Sequence, residues 1–341
     1  MISPIQNVTI IGAHGNLGSV ILASLLEANT QATLNTTQFT ITALIRSSSS
    51  SSSSSSPNPK PLPPGVNSIS IPDRFPLPDL TSALHSQDAV VVCFPLADID
   101  AHLRIAEASY AAGVRRVIPA DFGSVDSRGG YARELVGIFD RKVKVREFLE
   151  GLSSSSPPSF SPGRREGREG EPGIRDFGFT SLVTGHFYDW GLRNGFLHFW
   201  PDEKRAEILG DGERKSSLST LRRVGEAVVG VLQADEETYR TKMKGRVLMV
   251  QSFCVSQNEV LRVLERVTGK KWDVRYEDVE GFIKRHKALA EGGRRESVED
   301  LVFALGVVDG NWEEKEDFAM GLFGFADEDL ETETRRALGM F

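Results

Sequence analysis

Five residues in this 341-residue chain have types and spacings that could do chemistry: three glycines, one arginine and one lysine. Gly12, Gly15 and Gly18 fall in a G-x-x-G-x-x-G spacing. The β-branched run Val8-Thr9-Ile10-Ile11 precedes them, and Ser19-Val20-Ile21-Leu22-Ala23-Ser24-Leu25-Leu26-Glu27 follows. Strand, glycine turn and helix is the setting in which such a spacing signals a dinucleotide phosphate site. Gly12 permits a sharp turn at positive φ. Gly15, without a Cβ, leaves the backbone open to a pyrophosphate, and Gly18 lets the helix approach the strand. The helix N-terminus then offers N–H groups and partial positive charge. His14, Asn16 and Leu17, beside the glycines, are expected to share this cofactor contact.

Arg46 closes a second predicted strand over 38–46. Sites that prefer NAD place an acidic residue here to accept from the ribose 2′-hydroxyl. A guanidinium instead pairs with a 2′-phosphate through two parallel hydrogen bonds, so the site leans to NADPH/NADP+. The plainer alternative is a solvated arginine at a strand end. The lysine is Lys142, inside a predicted helix over 133–150. Positions 135, 138, 142, 145 and 149 form one stripe at helical spacing. Leu135, Ile138, Val145 and Leu149 are aliphatic, and the fifth position is Lys142, whereas Arg141, Lys144 and Glu147 lie off the stripe. A buried amine is costly unless it meets a partner or a ligand, and burial lowers its pKa. The alternative is a stem that is buried while the amine snorkels to water.

Alternating elements must carry these residues. Strands are predicted over 66–71, 88–94 and 114–119, with helices over 77–84 and 99–112. This alternation implies an α/β fold with a Rossmann-type doubly wound parallel sheet. Ligands of such sheets sit beyond the C-terminal strand ends. Phe94, Pro95, Asp121 and Phe122 therefore join Gly12 and Arg46 as candidate cofactor residues. A further strand over 179–184 runs into the aromatic turn Gly185-His186-Phe187-Tyr188-Asp189-Trp190-Gly191. Phe187, Tyr188 and Trp190 are expected to wall an aromatic substrate. His186 is either a general acid or base or a histidine that packs. The ten serines 47–56 open a low-complexity stretch that reaches 64, and a second runs over 153–173. Neither can pack as a core element, and both are expected to be disordered. The predicted domains are an NADP(H)-binding Rossmann domain over 1–185 and a smaller, mainly substrate-binding C-terminal α/β domain over 186–341. A strand over 247–252 is expected to return to the Rossmann sheet.

Composition excludes several classes. A net charge of −7 gives no bulk attraction to nucleic acid or an anionic membrane. No stretch approaches the roughly 20 apolar residues that cross a bilayer. The two cysteines, Cys93 and Cys254, are far apart, which suits a reducing compartment, so a cytoplasmic protein is expected. The histidines lack metal-ligand spacing, and no metal is expected. None of the five tyrosines has a lysine four residues on, so the Tyr-x-x-x-Lys pair is absent. No G-x-S-x-G or H-E-x-x-H motif occurs either.

Together the residues resemble the isoflavone reductase-like and NmrA-like family of atypical short-chain dehydrogenase/reductases. That family pairs a G-x-x-G-x-x-G loop with a basic strand end. It then carries an A-G-V-[KR]-R-F-x-P-S-E-F-G segment and a helix with F-x-x-K-x-x-[IV]-R. Here the segment reads Ala112-Gly113-Val114-Arg115-Arg116-Val117-Ile118-Pro119-Ala120-Asp121-Phe122-Gly123, and the helix Phe139-Asp140-Arg141-Lys142-Val143-Lys144-Val145-Arg146. Ile208-Leu209-Gly210-Asp211-Gly212 matches the family's I-x-G-D-G. The resemblance implies NADPH-dependent reduction of a small aromatic or phenolic substrate, with Lys142 in the place of the proposed catalytic lysine. It also implies a nicotinamide near Phe94 and Phe122, with Lys142 near the nicotinamide ribose, and a monomer or homodimer. Ala120-Asp121 departs from the family's Ser-Glu, which puts the substrate in question more than the cofactor. NmrA-like members also include non-catalytic NADP(H) sensors that bind a regulatory protein, and this is the alternative reading.

Overall fold

A computed structural model describes residues 3–32, 38–50, 61–154 and 177–340. The apolar runs of the first half build one seven-stranded sheet. Its strands are β1 (Asn7–Ile11), β2 (Thr40–Arg46), β3 (Val66–Ile71), β4 (Ala89–Val92), β5 (Arg116–Ile118) and β6 (Gly178–Val183). The seventh comes from far down the chain and is labelled β11 (Arg246–Met249) because four short strands precede it. The order is β11-β6-β5-β4-β1-β2-β3. Every pairing from β3 across to β6 is parallel. β4 is buried at all four positions, as a parallel strand covered on both faces must be. The chain lays β2 and β3 on one side of β1 and β4 to β6 on the other. The crevice at the β1/β4 switch point is where ligands of doubly wound sheets bind.

Helices α1 (Asn16–Thr30), α3 (Leu77–Leu84) and α4 (Ile99–Ala112) connect the strands, with a four-residue turn α2 (Ser47–Ser50) after β2. The ends of α4 follow from local chemistry. Asp98 caps its first turn by accepting from the N–H groups of Asp100 and Ala101, and Gly113 ends it at φ 81°. Beyond β5 lie α5 (Gly130–Leu135) and α6 (Gly137–Ser154).

The rest of the chain forms two three-stranded sheets. One joins β12 (Phe253–Ser256), β10 (Lys215–Ser219) and β7 (His186–Phe187), and the other β13 (Asp273–Glu277), β9 (Arg205–Leu209) and β8 (Phe199–Trp200). Helices α7 (Tyr188–Asn194), α8 (Leu221–Gln233), α9 (Glu236–Thr238), α10 (Gln257–Thr268), α11 (Val279–Glu291), α12 (Glu296–Asp309), α13 (Met320–Phe323) and α14 (Leu330–Ala337) complete the chain. Tyr188, Phe199, Ile208, Leu218, Phe253, Leu264 and Trp272 share a core here. α10 begins with the capping box Ser256–Glu259, the reciprocal bond pair that its sequence signature predicts.

The compact units interleave along the chain. One holds residues 1–121, 141–181 and 228–247, and the other 122–140, 182–227 and 248–341. In the large sheet β11 is the neighbour of β6.

Three local expectations differ from the structure. The helix over 133–150 is two helices, because Val136 is extended at φ −139° and ψ 112°. Its buried side chain clusters with Phe139, Leu301 and Leu305, and tertiary packing overrides helix continuity there. The aromatic turn after β6 is a two-residue strand and then α7, which Gly195 ends at φ 74°. Ser47–Ser50 form a helical turn rather than a disordered start: Ser47 Oγ donates to the Ile71 carbonyl at 3.0 Å, and the Ser48 N–H donates to Asp73 Oδ1 at 3.0 Å. Most of both low-complexity stretches lies outside the described residues. Among the described residues no helix is long and apolar enough to cross a membrane.

Candidate cofactor groove and lysine site

The glycine loop has the geometry that its spacing predicts. Gly12 turns the chain at φ +99° and its carbonyl accepts from the Gly15 N–H at 3.0 Å. A Cβ on Gly18 would stand 2.1 Å from that same carbonyl oxygen, so only glycine lets α1 sit this close to the loop. Gly15 is the N-cap of α1 and brings no side-chain acceptor, and the first turn holds no acidic residue. The N–H groups of Asn16 and Leu17, at that first turn, are thus left to an anion from outside.

Gly12, Ala13, His14 and Gly15 border a groove of about 490 Å³, whose lining does not include Asn16, Leu17 or Gly18. His14 and Gly15 line it from the loop, Arg46 from the end of β2, and Phe94 and Pro95 from the end of β4. Six of the sequence-predicted cofactor positions, Gly12, His14, Gly15, Arg46, Phe94 and Pro95, therefore meet at one groove. Phe122 is not among its lining residues. It follows Asp121 at φ 21°, a conformation sparsely populated outside glycine.

Sequence reasoning missed Asp73 and Phe75, which also line the groove. Both follow β3, and the rule that ligands sit beyond strand ends covers them. β3 is half polar, so its end carried less weight than the others. The Ser48 backbone and side chain hold the Asp73 carboxyl below the usual carboxylate range, with a smaller contribution from Arg46. The Phe75 ring stacks on Phe94 at 5.6 Å, and Phe94 in turn lies 4.3 Å from the His102 ring.

The β4–α4 segment joins this groove to a second, much smaller cavity. Phe94, Pro95, Ala97 and Ala101 face the groove. Leu96 and His102 face a space of about 10 Å³ that Asp121, Lys142 and Arg146 also line, room for about one water. Lys142 is only 9% exposed, so its amine does not snorkel out. Its Nζ donates to the backbone carbonyl of Asp121 and stands 3.9 Å from Asp121 Oδ1. Arg146, one helical turn further on and 4% exposed, donates from Nε to Asp121 Oδ2. Burial pushes the lysine pKa down to about 8; Asp121 opposes the fall and Arg146 adds to it. Burial also lowers His102 to about 4, against the Pro95 carbonyl and Asp98, so this ring is neutral at pH 7. Arg146 was missed as a site residue. Its signal was the i, i+4 relation to Lys142, which puts both on one helix face.

The residues expected around the substrate behave differently from one another. His186 is buried between Phe196 and Phe303, with Nε2 3.1 Å from the Val302 carbonyl. Burial pushes its pKa down to about 4, which fits the packed alternative rather than an acid or base at neutral pH. Tyr188 is fully buried, its hydroxyl 2.6 Å from Thr334 Oγ1. It belongs to the core rather than to an open wall. Phe187 and Trp190 are half-buried.

The fold is a Rossmann-type doubly wound sheet, with a groove at its switch point. Residues 4–161 match the NmrA-like family. Oxidoreductase aprR of Aspergillus flavus is 29% identical over 273 residues, spanning 80% of this chain and 77% of that protein. Among solved structures, an isoflavone reductase superposes with a TM-score of 0.69 at 18% identity, covering 97% of this chain and 99% of that one. AtPrR2 with NADP+ and (+)pinoresinol gives 0.69 at 15% identity, covering 99% and 100%. The chain is thus similar, over much of its length, to NmrA-like and isoflavone reductase-like oxidoreductases.

Proposed function

We propose that the protein is an NADPH-dependent reductase of a small aromatic or phenolic substrate, with Lys142 as its catalytic residue. The observation that carries this reading is Lys142 itself. It is a buried amine with a pKa of about 8, in a cavity that shares the β4–α4 segment with the nucleotide groove.

The residues present fit NADP(H). The glycine loop leaves a cradle that a Cβ would fill, and α1 opens without a side-chain cap. Gly12, Gly15, Gly18, His14, Asn16 and Leu17 hold the pyrophosphate, and Arg46 pairs with the 2′-phosphate. Phe94 and Pro95 border the cofactor at the end of β4. NADPH, when bound, supplies a hydride. Lys142 supplies the proton side of the reaction. At pH 7 it holds its proton, and at about 8 it can give that proton to a substrate oxygen at modest cost, as a general acid must. Phe187 and Trp190, half-buried aromatics, are the candidates for contact with an aromatic ring. The NADP+ and pinoresinol bound by AtPrR2, and the name oxidoreductase for aprR, support the same class. Both cysteines are free of disulfides, which suits a cytoplasmic setting.

The test is turnover. The full chain is offered NADPH with a panel of aromatic ketones, quinones and isoflavone-like enones, and loss of NADPH absorbance is followed beside a thermal-shift assay. The expected result is a Tm raised by NADPH and consumption with at least one acceptor. A raised Tm with no acceptor consumed would overturn the reductase reading in favour of an NADP(H) sensor that binds a regulatory protein.

A further inference from the structure

Lys142 and Arg146 lie one helical turn apart on α6 and both reach Asp121, which stands beyond the end of β5. Two cations and one carboxylate are thus buried together: Lys142 is 9%, Arg146 4% and Asp121 3% exposed. Buried cations are costly unless they are paired, so the way this carboxylate meets the two cations bears on what each does. Arg146 takes Oδ2 through Nε. Lys142 takes the Asp121 backbone carbonyl and stays 3.9 Å from Oδ1. The Asp121 N–H donates to the Pro119 carbonyl at 2.8 Å, so the backbone that receives the ammonium is itself held in a tight turn.

We propose that the Asp121–Arg146 ion pair positions Lys142. Arg146 clamps the Asp121 carboxylate, and the clamped residue presents its carbonyl, with its charge close behind, to the lysine ammonium. Asp121 then serves the lysine rather than the cofactor, and Arg146, which touches neither, acts through Asp121. The inference rests on the reading of Lys142 as the catalytic residue, but its test does not need turnover.

Among the described residues, three charged or titratable groups line the cavity with the amine. Asp121 comes from the end of β5, Arg146 from α6 and His102 from α4. His102 is neutral, its pKa pushed down to about 4 by burial. Arg141, next to the lysine, donates from Nε to the Leu96 carbonyl at 2.9 Å. Asp121 and Arg146 therefore act on the ammonium with opposite sign, and this makes the proposal separable from general loosening of the cavity.

The experiment is an NMR titration of the full chain, without cofactor, carrying lysine labelled with 13C at Cε; Lys142→Arg identifies the signal. The wild-type midpoint is expected at about 8. Asp121→Asn keeps the carbonyl and removes the charge. It should move the midpoint down by about one to three pH units, the usual effect of losing an opposite charge within about 4–6 Å. Arg146→Gln removes a repelling charge and leaves Lys142 as the main partner of Asp121, so its midpoint should rise. Arg146→Lys keeps the charge and should restore a midpoint close to wild type. If Asp121→Asn does not fold, the Asp121→Asn/Arg146→Gln double variant replaces it, since it also removes the buried guanidinium that held the lost carboxylate. Its midpoint must then fall below that of Arg146→Gln alone. Midpoints that do not move, or that rise together toward the ordinary lysine value as water enters the cavity, overturn the proposal. Should the midpoints move as stated while no acceptor is ever reduced, the positioning stands and the reductase reading fails.

Discussion

Lys142 and His198 are both basic groups buried against carboxylates, one in each compact unit, and their pKa values shift in opposite directions. His198 precedes β8 at φ 58°, its ring stacked on Phe303 at 4.3 Å. Its Nδ1 lies 3.3 Å from Glu207 Oε2 and its Nε2 3.3 Å from Asp300 Oδ1. Burial works against the imidazolium, but hydrogen bonds and attraction from Asp300 and Glu207 outweigh it, and the pKa is raised. Lys142 is no more deeply buried: it is 9% exposed and His198 7%. Its amine stands 3.9 Å from the Asp121 carboxylate, which Arg146 also holds, and the Arg146 charge repels it. Burial wins there, and the pKa falls to about 8. The depth of burial alone does not set the direction of the shift. The attraction and repulsion from neighbouring charges do.

The two sites consequently have different uses. His198 ties β9 to α12, and Asp300 extends the tie to His286 on α11, whose Nδ1 is 2.7 Å away. This is a structural rivet. At Lys142 burial lowers the pKa instead, and its proton is correspondingly available.

The comparison can be broken at either end. The largest effect is expected at the lysine. Lys142→Ala should lower kcat by about 10²–10⁴-fold, the usual worth of a general acid or base, while NADPH still raises Tm. Full activity in that variant would make Lys142 as structural as His198. At the histidine the effect should be on stability. His198→Gln should cost about 2 kcal/mol, the scale of hydrogen bonds to charged partners, read from urea denaturation midpoints. The sign of its pH dependence follows from the raised pKa. The stabilisation is complete below the unfolded imidazole value of about 6.5 and is lost as pH rises through the folded value. The gap between wild type and variant should therefore be widest in mild acid and narrow on the alkaline side. A gap that does not change with pH would mean the ring is held by packing alone. The smallest effect concerns the groove beside the lysine. Arg46→Ala should weaken NADPH binding about tenfold, or about 1.4 kcal/mol, and leave NADH binding unchanged; equal losses for both nucleotides would remove Arg46 from the 2′-phosphate.

Much of the groove was legible in the sequence because its causes are local. Gly12, Gly15 and Gly18 answer to steric limits within seven residues, and Arg46 to a strand end. α3 and α4 occupy the predicted 77–84 and 99–112, since their apolar period and the Asp98 and Gly113 caps are local too. Where partners come from afar, the reading weakened. Val136 breaks a helix for the sake of packing with α12. Tyr188 looked like a wall residue, yet it bonds Thr334, 146 positions away. Arg146 closes the F-x-x-K-x-x-[IV]-R pattern, but the carboxylate it holds is 25 residues away.

The sequence by itself determined that a glycine turn joins a strand to a helix, that an arginine ends the next strand, and that a lysine lies on an apolar stripe. Each depends on backbone sterics or helical period over a few residues. Only the tertiary structure decided what that lysine faces. Its partner Asp121 is 21 residues away, and Arg146 reaches the same carboxylate across 25. The balance of burial, attraction and repulsion that sets the lysine's pKa exists only once the end of β5 and the face of α6 are packed together.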